Sequence, residues 1–107
     1  MSRQPIHPGE ILADELSEIG VKPGEFARQI EVPANRISEI IRGRRSITAD
    51  SALRLGHWFG TTPQFWLNLQ TAYELRVASG RVGSVVENLP RRTDTPFPET
   101  QTPFGLV

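Results

Sequence analysis

Residues 23–45, PGEFARQIEVPANRISEIIRGRR, constrain the fold more than any other part of this 107-residue chain. They read as two short helices, over about 23–30 and 33–41, joined by a tight turn and followed by a run of arginines. Pro33 is placed to open the second helix, since proline's fixed φ suits the first helical position. Gly43 ends it. Two helices crossing steeply need a small residue where their backbones approach, and Ala27 supplies it. The turn falls near Glu31, and Ile37 and Ile40 lock the second helix from below. Ala27, Glu31, Ile37 and Ile40 together carry the spacing of a helix-turn-helix. Glycine is usual at the turn because that site tends to be left-handed; a glutamate there would cost ~1 kcal/mol.

The N-terminal part of a recognition helix meets base edges. Here it offers Ala34, Asn35, Arg36, Ser38 and Glu39. Asn pairs with adenine, Arg with guanine, and Glu accepts from cytosine. Asn35, Arg36, Ser38 and Glu39 are therefore the candidate readers, while Arg42, Arg44 and Arg45 lie after the helix, where a phosphate strand would pass.

Flanking segments complete an all-α pattern. A first helix over about 9–19 carries Ile11, Leu12, Leu16 and Ile19 at helical spacing, with Gly20 as its stop. Glu10, Asp14 and Glu18 stack on another face, and Asp14, Glu15 and Glu18 read as solvated surface or as a dock for a basic partner. Thr48 caps a helix over about 49–59, whose apolar residues are Ala52, Leu53, Leu55, Trp58 and Phe59. Thr62 and Pro63 open a fifth helix that runs to about residue 78, where Ser79-Gly80 breaks it. That helix is apolar on several sides, so one side is expected in the core and another, with Trp66 and Tyr73, against a second copy of the chain. The aromatics Trp58, Phe59, Phe65, Trp66 and Tyr73 sit at core spacing rather than as a stacking platform. The domain thus spans residues 5–78. Residues 79–107, rich in Pro and Thr, read as an extended or disordered tail with Phe97, Phe104, Leu106 and Val107 as scattered anchors.

Charge matters here by position, since Lys+Arg and Asp+Glu balance at 12 each. Residues 1–25 carry Arg3 and Lys22 against five carboxylates, whereas residues 28–54 carry six arginines against Glu31, Glu39 and Asp50. A neutral chain can still present a positive patch to DNA. With no cysteine, disulfides and thiol chemistry are excluded. No apolar run reaches the ~18 residues of a membrane span, which points to the cytoplasm. His7 and His57 are far apart, and read as a helix-entry residue and a partly buried helix residue. No nucleophile–base set, metal cluster or phosphate loop is visible, so neither an enzyme nor a cofactor is expected.

Residues 32–70, VPANRISEIIRGRRSITADSALRLGHWFGTTPQFWLNLQ, with HPGEIL at 7–12, resemble the HigA (VapI) branch of the XRE, lambda-repressor-like, helix-turn-helix family. The resemblance covers about residues 5–78. It implies a five-helix domain, a homodimer, and an antitoxin that represses its own operon through operator DNA. It also implies a partner, a HigB-type mRNA-cleaving ribonuclease toxin. Arg36, Ser38, Arg42, Arg44 and Arg45 fall where members of that family touch DNA. The alternative is a stand-alone XRE-family regulator of the same fold with no toxin.

Overall fold

The computed structural model describes residues 5–92. These form α1 (Pro8–Ile19), α2 (Pro23–Gln29), α3 (Ala34–Ile41), α4 (Ala49–Phe59) and α5 (Pro63–Glu87), with no strand among the described residues.

Local chemistry sets most boundaries. At α1 the His7 Nδ1 accepts the Gly9 N–H at 2.9 Å. At α4 the Thr48 hydroxyl accepts the Ser51 N–H at 3.3 Å, and at α5 the Thr62 hydroxyl accepts the Phe65 N–H at 3.1 Å. Each bond satisfies a donor the helix itself leaves open. Pro33 stands one position outside α3, in the cap rather than at the first helical position.

Three helices end in the same way. After α1, the N–H groups of Gly20 and Val21 turn back to the carbonyls of Ser17 and Leu16 at 3.2 and 3.0 Å. After α3, Gly43 and Arg44 bond back to Ile40 and Glu39 at 3.0 and 2.8 Å. After α2, Glu31 and Val32 bond back to Arg28 and Ala27 at 3.2 and 3.0 Å. This paired arrangement needs a left-handed residue at its centre. Gly20 and Gly43 supply it at φ 74° and 76°; Glu31 supplies it at φ 60° and is the one non-glycine residue with positive φ among the described residues.

The core gathers Leu12 and Leu16 from α1, Phe26 and Ala27 from α2, Ile37 and Ile40 from α3, Ala52 and Leu55 from α4, and Trp66 from α5. Ile30 and Ile47 close it from the connections. The α1 backbone lies directly on the end of α3, so that a Cβ built on Gly9 would stand 1.8 Å from the Ile40 carbonyl oxygen. Gly56 is similarly pressed against the 61–63 turn, where a Cβ built on it would stand 2.9 Å from the Pro63 nitrogen. Gln70 is buried together with the polar side chains of His7 and Ser51: its carbonyl oxygen accepts the Ile47 N–H at 2.7 Å, and its amide donates to Glu74 at 2.9 Å. No buried side-chain polar atom lacks a partner among the described residues, so the interior carries no unmet desolvation cost of that kind.

Several expectations change. Ile19 and Leu53 are 51% and 61% exposed, outside the faces assigned to them. His57 is exposed rather than partly buried. Trp66 is fully in the core, so it is not at a seam between copies, and Tyr73 packs edge-on against His7 at 4.8 Å. Most importantly, α5 does not stop at Ser79-Gly80. It runs to Glu87, so residues 79–87 belong to a helix and not to an extended tail. The two interior glycines, Gly80 and Gly83, cost ~1 kcal/mol each, too little to halt a helix already propagating through good formers such as Leu75, Arg76, Ala78 and Arg81. The stop comes at Asn88, whose amide donates to the Ser84 carbonyl, and at Pro90. The tail anchors Phe97, Phe104, Leu106 and Val107 lie outside the described residues.

Candidate nucleic-acid interface

The helix-turn-helix is α2, the turn at Glu31, and α3. Phe26 and Ala27 on α2 and Ile37 and Ile40 on α3 are all buried, which fixes the two helices to each other and to the core. The opposite side of α3 is left outward. Asn35 is exposed there, and Arg36, Ser38 and Glu39 are half-buried. Arg42, Arg44 and Arg45 follow at the C-terminal end, all exposed. All seven candidates therefore come from one helix and the loop that leaves it.

Their side chains are not equally free. Arg36 Nη1 donates to Asp50 Oδ1 at 2.8 Å. Arg45 donates to Glu39 Oε1 from Nε at 2.9 Å and from Nη2 at 2.6 Å. The Ser38 hydroxyl donates to the Asn35 carbonyl at 3.2 Å. Arg42 and Arg44 form no side-chain ion pair with another described residue. The two uncommitted arginines thus sit where α3 ends, while a reader and a backbone-contact candidate, Glu39 and Arg45, hold each other.

Two further residues, Asp50 and Arg54, join this cluster. Asp50 Oδ1 receives Arg54 Nε at 2.8 Å as well as Arg36. The hydrogen bond from Arg54, then that from Arg36, holds the Asp50 carboxyl below its ordinary range. Arg54 Nη1 also donates to the carbonyl of Ile30 at 2.7 Å and reaches that of Glu31 at 3.4 Å. Arg54 is therefore bonded to the helix-turn-helix turn itself. The one sequence signal for this was the Asp50/Arg54 spacing of four on a helix; its link to Arg36 and the turn has no local signature. Nearby, Trp58 Nε1 donates to the Gln29 side chain at 2.8 Å and ties α4 to the end of α2.

A helix pair locked through Phe26, Ala27, Ile37 and Ile40, with an outward α3 and cations at its exit, defines the class: a helix-turn-helix DNA-binding domain of five helices. No protein-family model matches the chain. Virulence-associated protein I of Dichelobacter nodosus is 47% identical over 90 residues, 83% of each chain. A HigA-family addiction module antidote protein from Coxiella burnetii superposes with a TM-score of 0.79 at 47% identity, covering 89% of this chain and 100% of that one. Pseudomonas aeruginosa antitoxin HigA, solved with the higBA promoter, gives 0.79 at 44% identity, with 84% and 99% covered. The chain belongs to the HigA family of helix-turn-helix antitoxins.

Proposed function

We propose that this protein is a dimeric autorepressor and antitoxin that binds the operator of its own operon and neutralises an mRNA-cleaving ribonuclease of HigB type by direct contact. Within that reading, Asn35, Arg36, Ser38 and Glu39 face base edges, and Arg42, Arg44 and Arg45 hold the phosphate backbone. It acts in the cytoplasm, where operator and toxin are both accessible.

The observation that carries the DNA reading is the outward α3, locked from behind by Ile37 and Ile40 and followed by the exposed Arg42 and Arg44. A rigid helix with cations at its exit suits a major groove flanked by phosphate.

The dimer reading rests on α5. Leu75, Ala78, Val82 and Val85 on α5, with Leu89 just past its end, recur at alternating intervals of three and four, the seam pattern of paired helices. Leu75, Val82, Val85 and Leu89 are between 46% and 66% exposed in the single chain. A row that apolar and that open is covered at little cost by a second copy. Two copies would then set two α3 helices on successive major grooves, ~34 Å apart or a multiple of it.

Toxin contact is assigned to surface charge. Glu10, Asp14 and Glu18 are exposed along α1, and a ribonuclease that grips RNA presents cations.

The test is co-purification with the product of the neighbouring gene, together with titration of DNA from upstream of the operon. Selective binding of that DNA and a stable complex support the reading. Selective DNA binding with no neighbouring toxin would leave a stand-alone regulator.

A further inference from the structure

The reading residue Arg36 is held by a group on another helix. Asp50, in the first turn of α4, bonds Arg36 Nη1 from 14 residues away. The same Asp50 oxygen bonds Arg54 Nε, and Arg54 is itself fastened to the Ile30 carbonyl at 2.7 Å. The chain of contacts runs from the reading helix, through α4, to the turn that sets the angle between α2 and α3.

We infer that Asp50 is a positioning residue for base selection, bracing Arg36 in a fixed orientation before DNA arrives. This rests on the proposed role of Arg36 as a reader.

Three observations favour a brace over a lock. Asp50 takes only one of the Arg36 donors, so the Nε and Nη2 edge stays available for a two-point contact with guanine. Arg54 shares the Asp50 oxygen, so the trio Arg36–Asp50–Arg54 keeps one net positive charge and does not repel a phosphate strand. The Arg36 side chain is only 29% exposed, so its packing also restricts it. A long side chain ordered in advance loses less freedom when it binds. The gain is largest where geometry matters most, at a forked contact to one base.

The experiment is selection of bound duplexes from a randomised pool by the full-length protein, followed by sequencing, for wild type, Arg36→Ala, Asp50→Asn and the double variant. Asp50→Ser is carried as a second substitution, and thermal unfolding is measured on each to confirm a folded domain. Arg36→Ala is expected to erase the preference at one base pair of each half-site, by about tenfold or more. Asp50→Asn is expected to flatten that same pair by about two- to tenfold, leaving other positions unchanged. In the Arg36→Ala background, Asp50→Asn is expected to change nothing further. A purely structural Asp50 would weaken all positions alike, and that result overturns the inference. So does tighter and more selective binding by Asp50→Asn, the mark of a lock. If Arg36→Ala leaves every preference intact, the reading of Arg36 itself falls, and the role of Asp50 with it. If Arg36→Ala acts and Asp50→Asn and Asp50→Ser do not, the inference about Asp50 alone is wrong.

Discussion

Gly9 lies against the carbonyl of Ile40, so closely that a Cβ on Gly9 would stand 1.8 Å from that oxygen. This contact seats α1 on the end of α3. It gives the glycine in HPGEIL a physical role, because the neighbour is backbone and cannot swing aside. Gly9→Ala should therefore destabilise the domain by about 1–3 kcal/mol, the usual cost of overpacking. A urea titration that returns the wild-type midpoint would dispose of this close approach.

Glu31 occupies at φ 60° the slot that Gly20 and Gly43 fill after the other two helices. Side-chain strain in that region costs roughly 1–2 kcal/mol, partly offset for glycine by its greater freedom when unfolded. Glu31→Gly should raise stability by about 0.5–1 kcal/mol. Arg54 bonds carbonyls of this turn and not the Glu31 side chain, so those contacts survive the change. Equilibrium unfolding is the measurement, and a lower midpoint in the variant would contradict the strain.

His7 links stability to pH. Burial lowers its pKa from 6.5, against the opposing pull of Glu10 and Glu74. Its Nδ1 must also be unprotonated to accept the Gly9 N–H. A base with a depressed folded pKa binds fewer protons folded than unfolded. Its contribution is therefore whole above the ordinary value of 6.5 and declines as pH falls from there toward the lowered folded value. Stability should drop as pH falls below the ordinary value of 6.5, and His7→Asn, an acceptor that does not titrate, should flatten this fall. Equal slopes in the two proteins would remove His7 as the source.

Arg44→Ala with Arg45→Ala should weaken binding to all DNA sequences and make the log–log salt slope shallower by about 1.8 for each half-site, two phosphate contacts' worth per copy. The two residues differ in the free protein, since Arg45 is paired with Glu39. Arg44→Ala alone is accordingly expected to account for the larger share of the lost affinity. Unchanged affinity at ~0.15 M salt would refute the phosphate assignment.

Val82→Glu with Val85→Glu places two carboxylates on the open row of α5, where the parent residues are 46% and 61% exposed. The fold of the single chain should be unaffected. Sedimentation should report a monomer, and operator affinity should fall by about a hundredfold or more as two linked half-site contacts become separate. A dimer that persists would move the seam elsewhere.

The fold was legible wherever the determinants are short-range. Thr48, Thr62, Gly20 and Gly43 mark helix ends through bonds to residues a few positions away. The left-handed turn at Glu31 followed from the spacing of Ala27, Ile37 and Ile40 around it. Helix 5 was misjudged beyond Ala78 because Gly80 was read as a stop; an isolated glycine weakens a helix without ending it. Ile19 and Leu53 fall outside their expected faces for a different reason. Helical spacing says which residues share a face, but not which face the neighbouring helices cover.

The sequence by itself therefore determined five helices, a tight turn near Glu31 within a helix-turn-helix, and a third helix with arginines at its exit. Tertiary structure alone decided how those arginines are disposed. Arg36 meets Asp50 across 14 residues, and Arg54 meets the Ile30 carbonyl across 24. Helix propensity and capping act over a turn or two of chain. Contacts of that range exist only once α4 has packed against the core and set its first turn beside α3.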